Sequence, residues 1–143
     1  MIEKIEIDKI LYAIIIRTNY KSEKGIEFFT PNNFSQQLAY MKRPTGYEIK
    51  PHTHKKIMKQ IEFTQEVLFI KSGKIRVDFY DKKKKYLVSK ILNKGDVILL
   101  SEGGHGFRVI EECEMYEVKQ GPYDETNDKT RFDGILDKET IIE

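Results

Sequence analysis

His52 and His54 stand one residue apart in the run Gly46-Tyr47-Glu48-Ile49-Lys50-Pro51-His52-Thr53-His54. On an extended strand, side chains two residues apart project to the same face, so both imidazoles aim at one spot. Imidazole is the commonest metal ligand, and two convergent rings need only a carboxylate and a third histidine to complete a site. The one other histidine is His105, in Ser101-Glu102-Gly103-Gly104-His105-Gly106-Phe107, a glycine-rich turn after the strand-like run Gly95–Leu100. A carboxylate is offered by Glu66, at the head of Glu66-Val67-Leu68-Phe69-Ile70. Gln60 and Glu62 are rival oxygen donors between His54 and Glu66. With all three histidines assigned, no Ser-His-Asp set remains. Cys113 then has no base to activate it and reads as a small buried residue.

Strands must position these groups. Ile75, Val77 and Phe79 alternate with Lys74, Arg76, Asp78 and Tyr80, a period of two. Val67–Ile70 and Val97–Leu100 are short apolar runs near glycines, as expected of buried strands. Leu11–Arg17, Gln36–Arg43, Tyr47–Lys50, Tyr86–Leu92 and Met115–Lys119 read as further strands, and Asn32–Leu38 as a helical turn. Ser72-Gly73 and Asn93-Lys94-Gly95 are turn signals supplying the positive φ of tight hairpins. Many short strands without a sustained 3.6-residue period predict an all-β sandwich or closed barrel.

These residues resemble the cupin family. Gly46 precedes His52 by five intervening residues, His54 completes the pair, and Glu66 precedes Gly73 by six, as in that family's first motif. Gly95-Asp96, followed by a strand, a turn and His105, is similar to its second. The spacer from His54 to Glu66 is longer than the family's, Ser101 stands in place of its usual proline, and the asparagine often found beyond the histidine is missing. The resemblance implies a double-stranded β-helix, the jelly-roll barrel, as one domain over residues 1–143. Its core would be about 34–120, with an N-terminal strand arm 1–33 and a C-terminal tail 121–143. It implies a divalent ion (Fe, Mn, Ni, Co or Zn) held by His52, His54, Glu66 and His105. By that likeness the protein is a small metal-dependent enzyme. It would act on a polar, carbohydrate-type metabolite by Lewis-acid catalysis, in the manner of an isomerase or epimerase. An Fe(II)-dependent dioxygenase is the alternative within the fold, and a non-catalytic small-molecule-binding or sensing module the alternative outside enzymes. Tyr40, Tyr47, Phe79 and Phe107 are candidate pocket aromatics, and Arg43 and Arg108 candidate anion partners.

Composition bounds the partners. The chain has 143 residues, 25 Lys and Arg against 23 Asp and Glu, and one cysteine. The near-balance of charge, with Lys82–Lys85 as a hairpin tip, speaks against nucleic acid. No apolar run is long enough for a membrane helix, and the acidic start is unlike a signal peptide, so a cytoplasmic protein is expected. Leu11–Arg17, with Ile14, Ile15 and Ile16 consecutive, is too apolar to lie exposed as an edge. It is expected either to pair inside its own sandwich or, as the resemblance implies and as the preferred reading, to help form the interface of a homodimer.

Overall fold

A computed structural model describes residues 1–124 and 126–143. The described chain divides into two compact units: unit 1, residues 1–20 and 63–143, and unit 2, residues 21–62.

Unit 1 is built from β1 (Ile2–Ile7), β2 (Ile10–Ile16), β5 (Glu66–Tyr80), β6 (Tyr86–Asn93), β7 (Val97–Leu100) and β8 (Gly104–Lys119). The remaining strands, β3 (Ile26–Phe28) and β4 (Ala39–Met41), belong to unit 2. In unit 1 one antiparallel sheet runs β1-β2-β7-β5-β6, with β8 along the other edge of β5. The first part of β5, Glu66–Phe69, lies between β7 and β8. Its second part, Lys74–Tyr80, lies between β6 and β8. The sheet curls strongly into a half-barrel.

The curl is written into β5. Its core-facing residues are Leu68 and Ile70 before the bend, then Ile75, Val77 and Phe79 after it. That switch from even to odd positions needs an irregular step, and the register with β8 slips between Ile70 and Ile75. Gly73 sits there at φ +77°, where an added Cβ would fall 1.9 Å from the Glu112 carbonyl oxygen. Ser72-Gly73, expected as a hairpin turn, is therefore a bend inside one 15-residue strand. The inner face of β5 packs against Ala13, Ile15, Val88, Leu92, Ile98 and Leu100. Each such large side chain contributes about 1.5–3 kcal/mol on burial.

β1 and β2 are both part of the sheet. β2 is paired on both sides, with Ile15 opposite Glu3 of β1 and Ile98 of β7. Ile14 and Ile15 are fully buried, so the apolar run expected at a dimer interface is satisfied within its own sheet. The Gly95-Asp96 pair closes the β6–β7 turn. Asp96 accepts hydrogen bonds from Arg17 Nη1 at 2.8 Å, Thr18 N at 2.9 Å and Asn93 N at 3.0 Å. Lys82–Lys85 does form the β5–β6 turn, where the Lys83 and Lys85 amides both donate to Asp81 Oδ1. The C-terminal segment docks. The Ile135 amide donates to the Tyr80 hydroxyl at 2.9 Å, and the Ser89 amide donates to the Ile141 carbonyl at 2.8 Å.

In unit 2, β3 and β4 form a short antiparallel pair. Asn32–Leu38, expected as a helical turn, is an irregular loop pinned by Gln37, whose amide nitrogen donates to the Pro31 and Phe34 carbonyls. Tyr47–Lys50, expected as a strand, carries no strand pairing, and Arg43 stacks its guanidinium on the Tyr47 ring at 4.7 Å. Among the described residues, no helix is long and apolar enough to cross a membrane.

Candidate functional site

Glu66 opens β5 and His105 lies at the start of β8, opposite Phe79. Thirteen residues of straight strand would separate Glu66 from Phe79 by about 43 Å. Yet His105 Nε2 is 3.1 Å from Glu66 Oε2. The two meet because both side chains project from the inner face, and the curl of unit 1 folds that face onto itself. His105, expected in a turn, is held in a paired strand instead; the turn ends at Gly103, φ +78°.

Glu66 is 5% exposed. Its other oxygen, Oε1, lies 3.7 Å from Lys119 Nζ and 3.4 Å from Lys129 Nζ. Lys119 stands directly across from Glu66 in the β5–β8 register, so the two side chains share a face. The hydrogen bond from His105 pulls the Glu66 carboxyl down against the opposing effect of burial. The positive charges of His105, Lys129 and Lys119 add to the pull, bringing it to about 2. Burial works against the charge on Lys129, but the Glu66 and Glu117 carboxylates outweigh it and raise its ammonium above the ordinary lysine value. Two side-chain bonds brace the surroundings: Thr64 to Asp128 Oδ1 at 2.9 Å, and the Gln65 amide to Gln120 Oε1 at 2.8 Å.

Residue pattern alone does not single out either lysine. Their role depends on register and on the course of the chain after β8, and a lone Lys in an alternating strand carries no such signal.

A carboxylate kept ionised can do two things for an imidazole. As an acceptor of the Nε2–H bond it fixes the tautomer, leaving Nδ1 as the free base. As a ligand it can share a cation with Nε2. Glu66 Oε2 and His105 Nε2, 3.1 Å apart, are the two protein atoms that would hold it. Both donors are of the right chemistry, one nitrogen and one oxygen, and the neighbouring ammoniums keep the carboxylate in its ligating form. The same ammoniums repel a dication, so the pair suits an exchangeable ion better than a tightly held one.

His52 and His54 lie in unit 2, in a stretch without strand or helix. Their rings are edge-to-face with centroids 5.3 Å apart. His52 Nδ1 is 2.9 Å from the Lys50 carbonyl oxygen, an acceptor, so Nδ1 carries the proton and Nε2 is left free. The structure thus brings Glu66 to His105 in one unit and His52 to His54 in the other. Glu62, the rival carboxylate, also lies in unit 2 and is exposed, as is Gln60. Among the described residues, no group of three or more His, Cys, Asp or Glu side chains is gathered to hold a metal ion. Of the other candidates, Phe79 is plain core and Phe107 is exposed, its ring 5.4 Å from that of His105. Arg108 is engaged with Asp137 at 2.8 Å. Burial pushes the Cys113 thiol up, away from a reactive thiolate. Comparison with protein-family models, curated proteins and solved structures finds no match for this chain.

Proposed function

We propose that unit 1 is a jelly roll of the cupin type and that the protein is a small metal-dependent enzyme acting on a polar metabolite at its inner face. A carbohydrate-type substrate is the first choice, from the sequence resemblance. Glu66 and His105 are its working pair. The observation that carries the reading is the 3.1 Å approach of Glu66 Oε2 to His105 Nε2 from residues far apart along β5 and β8. A divalent ion there supplies Lewis-acid polarisation of a substrate oxygen. The chain's own part is to hold Glu66 ionised through Lys119 and Lys129 and to present His105 from a rigid strand. Binding the ion in place of the Nε2–H bond requires His105 to be deprotonated at Nε2, so affinity falls as pH is lowered.

The test is metal uptake, measured by elemental analysis after dialysis against Fe, Mn, Ni, Co and Zn in turn. Wild type is expected to retain an ion and to gain thermal stability from it. Glu66→Gln and His105→Phe are each expected to lose it. Replacing His52 and His54 measures what those two imidazoles add. Wild-type protein whose melting temperature and metal content ignore all five ions would overturn the reading. Retention of iron with uptake of dioxygen would favour the dioxygenase reading over the isomerase-like one.

One observation favours a second reading. The two ammoniums beside Glu66 already balance its charge, as a metal-free binding site would require. The chain would then be a small-molecule-binding or sensing module in which Glu66 orients His105 toward the ligand. Ligand binding unaffected by chelator distinguishes it.

A further inference from the structure

The cluster around Glu66 holds more cationic reach than a metal-holding pair needs. The Lys119 side chain is only 13% exposed, yet its three carboxylate neighbours stay at arm's length. Glu66 Oε1, Glu117 Oε1 and Asp128 Oδ2 lie 3.7, 3.7 and 3.9 Å from its Nζ. A charge-assisted N–H···O bond closes to about 2.7–2.9 Å, so none of the three is one. The ammonium is held instead by the shared field of three carboxylates and by the Tyr123 ring, 4.7 Å away. Its donors remain available to a closer acceptor. Lys129, on the same oxygen of Glu66 at 3.4 Å, is 42% exposed and reachable from solvent.

Charge decides what that acceptor is. With His105 neutral, the three carboxylates and two ammoniums among the described residues leave the group with one net negative charge. A dication on Glu66 and His105 reverses it to one net positive charge. A half-buried positive cluster is stabilised by an anion that enters with its own charge and accepts the unused donors.

We propose that Lys119 and Lys129 set the specificity of this site, receiving the carboxylate or phosphate oxygens of an anionic substrate. The proposal rests on the metal reading given above. Lysine suits the task because its ammonium is a mobile point charge able to turn from Glu66 toward an incoming oxygen. Neutral sugars would then be poor ligands, and sugar acids or sugar phosphates good ones.

The full-length chain, stripped of metal or loaded with Zn(II), is titrated calorimetrically with acetate, methyl phosphate and, as the neutral control, acetamide. The loaded chain is expected to bind at least one of the two anions roughly tenfold more tightly than the stripped chain, and acetamide not measurably. Lys129→Gln is expected to weaken anion binding about tenfold and Lys119→Met by at least as much, each compared with wild type at equal zinc loading. Should Lys119→Met fail to fold, Lys119→Arg is read instead and is expected to retain anion binding. The preferred anion identifies the substrate's charged group as carboxylate or phosphate. Zinc-loaded variants that bind both anions as wild type does would overturn the lysine proposal alone, as would equal binding of acetamide. A wild-type chain that takes up no zinc or other divalent ion defeats the metal reading, and the lysine proposal falls with it.

Discussion

Glu66 and His105 on one side, His52 and His54 on the other, are the same chemistry supported in two ways. The first pair stands on β5 and β8, the longest paired strands of unit 1, with Glu66 buried beside His105, Lys119 and Lys129. The second pair stands in an exposed stretch of unit 2 without strand or helix, its one side-chain bond running to the Lys50 carbonyl. The difference teaches that spacing in sequence names the donors, but only backbone pairing fixes them in place. His-x-His promised convergence on a strand; where no strand forms, the two rings meet by local contact. Glu66 and His105, 39 residues apart, meet through the curl of a sheet.

The largest break in this comparison is at Glu66. Replacing it by alanine leaves Lys119 and Lys129 facing each other with no carboxylate on their shared oxygen position, and frees His105. Loss of one partner of a buried ion pair costs about 3–5 kcal/mol. Urea denaturation is expected to show that loss in Glu66→Ala. A change below about 1 kcal/mol would mean that water replaces the carboxylate without penalty, and that the site is more open than its burial implies.

Acid should reproduce much of this without mutation. The folded carboxyl titrates near 2 against an ordinary value of 4.5. Between those values the unfolded chain binds a proton that the folded chain does not, so stability rises with pH across the window. The contribution is fully present above 4.5 and is lost as pH falls through 2, and it amounts to about 3 kcal/mol. Glu66→Gln removes the titrating group, so its stability should be flatter than wild type between pH 2 and 5. Parallel pH profiles for the two proteins would show that other carboxylates govern the acid transition.

The same contrast explains what could be read in advance. Alternation in Lys74–Tyr80, the Lys82–Lys85 tip and the Gly95 turn are local signals, and each appears where pattern places it. The all-β class follows from them. Ser72-Gly73 misleads because a positive-φ glycine serves a hairpin turn and a strand bend equally well, and only the close Glu112 carbonyl tells them apart. Tyr47–Lys50 has alternation but gains no pairing partner. Leu11–Arg17 is apolar for a reason internal to the sheet, since β2 is an inner strand that buries Ile14 and Ile15. Glu66 and His105 were legible as chemistry because their residue types are rare at such positions. Lys119 and Lys129 were not, because lysine is common on strands and tails and only the register opposite Glu66 gives Lys119 its place.

The smallest effect belongs to the loop histidines. His52→Ala removes an exposed bond to the Lys50 carbonyl, and His54→Ala removes a ring contact in a stretch with no paired backbone. Exposed substitutions away from packing usually change stability by less than about 0.5 kcal/mol, and that is expected for each without metal. The contrast with Glu66→Ala should thus approach an order of magnitude in free energy, measured on metal-free protein by the same denaturation. A loss above about 2 kcal/mol in either single variant would place these imidazoles in the stability of the fold and undo the division between strand-held and loop-held pairs. Repeating the measurement with zinc sharpens the contrast. A ligand stabilises only the state it binds, so a zinc-induced gain that shrinks in His52→Ala or His54→Ala identifies those rings as ligands whose order comes from the ion rather than from the backbone.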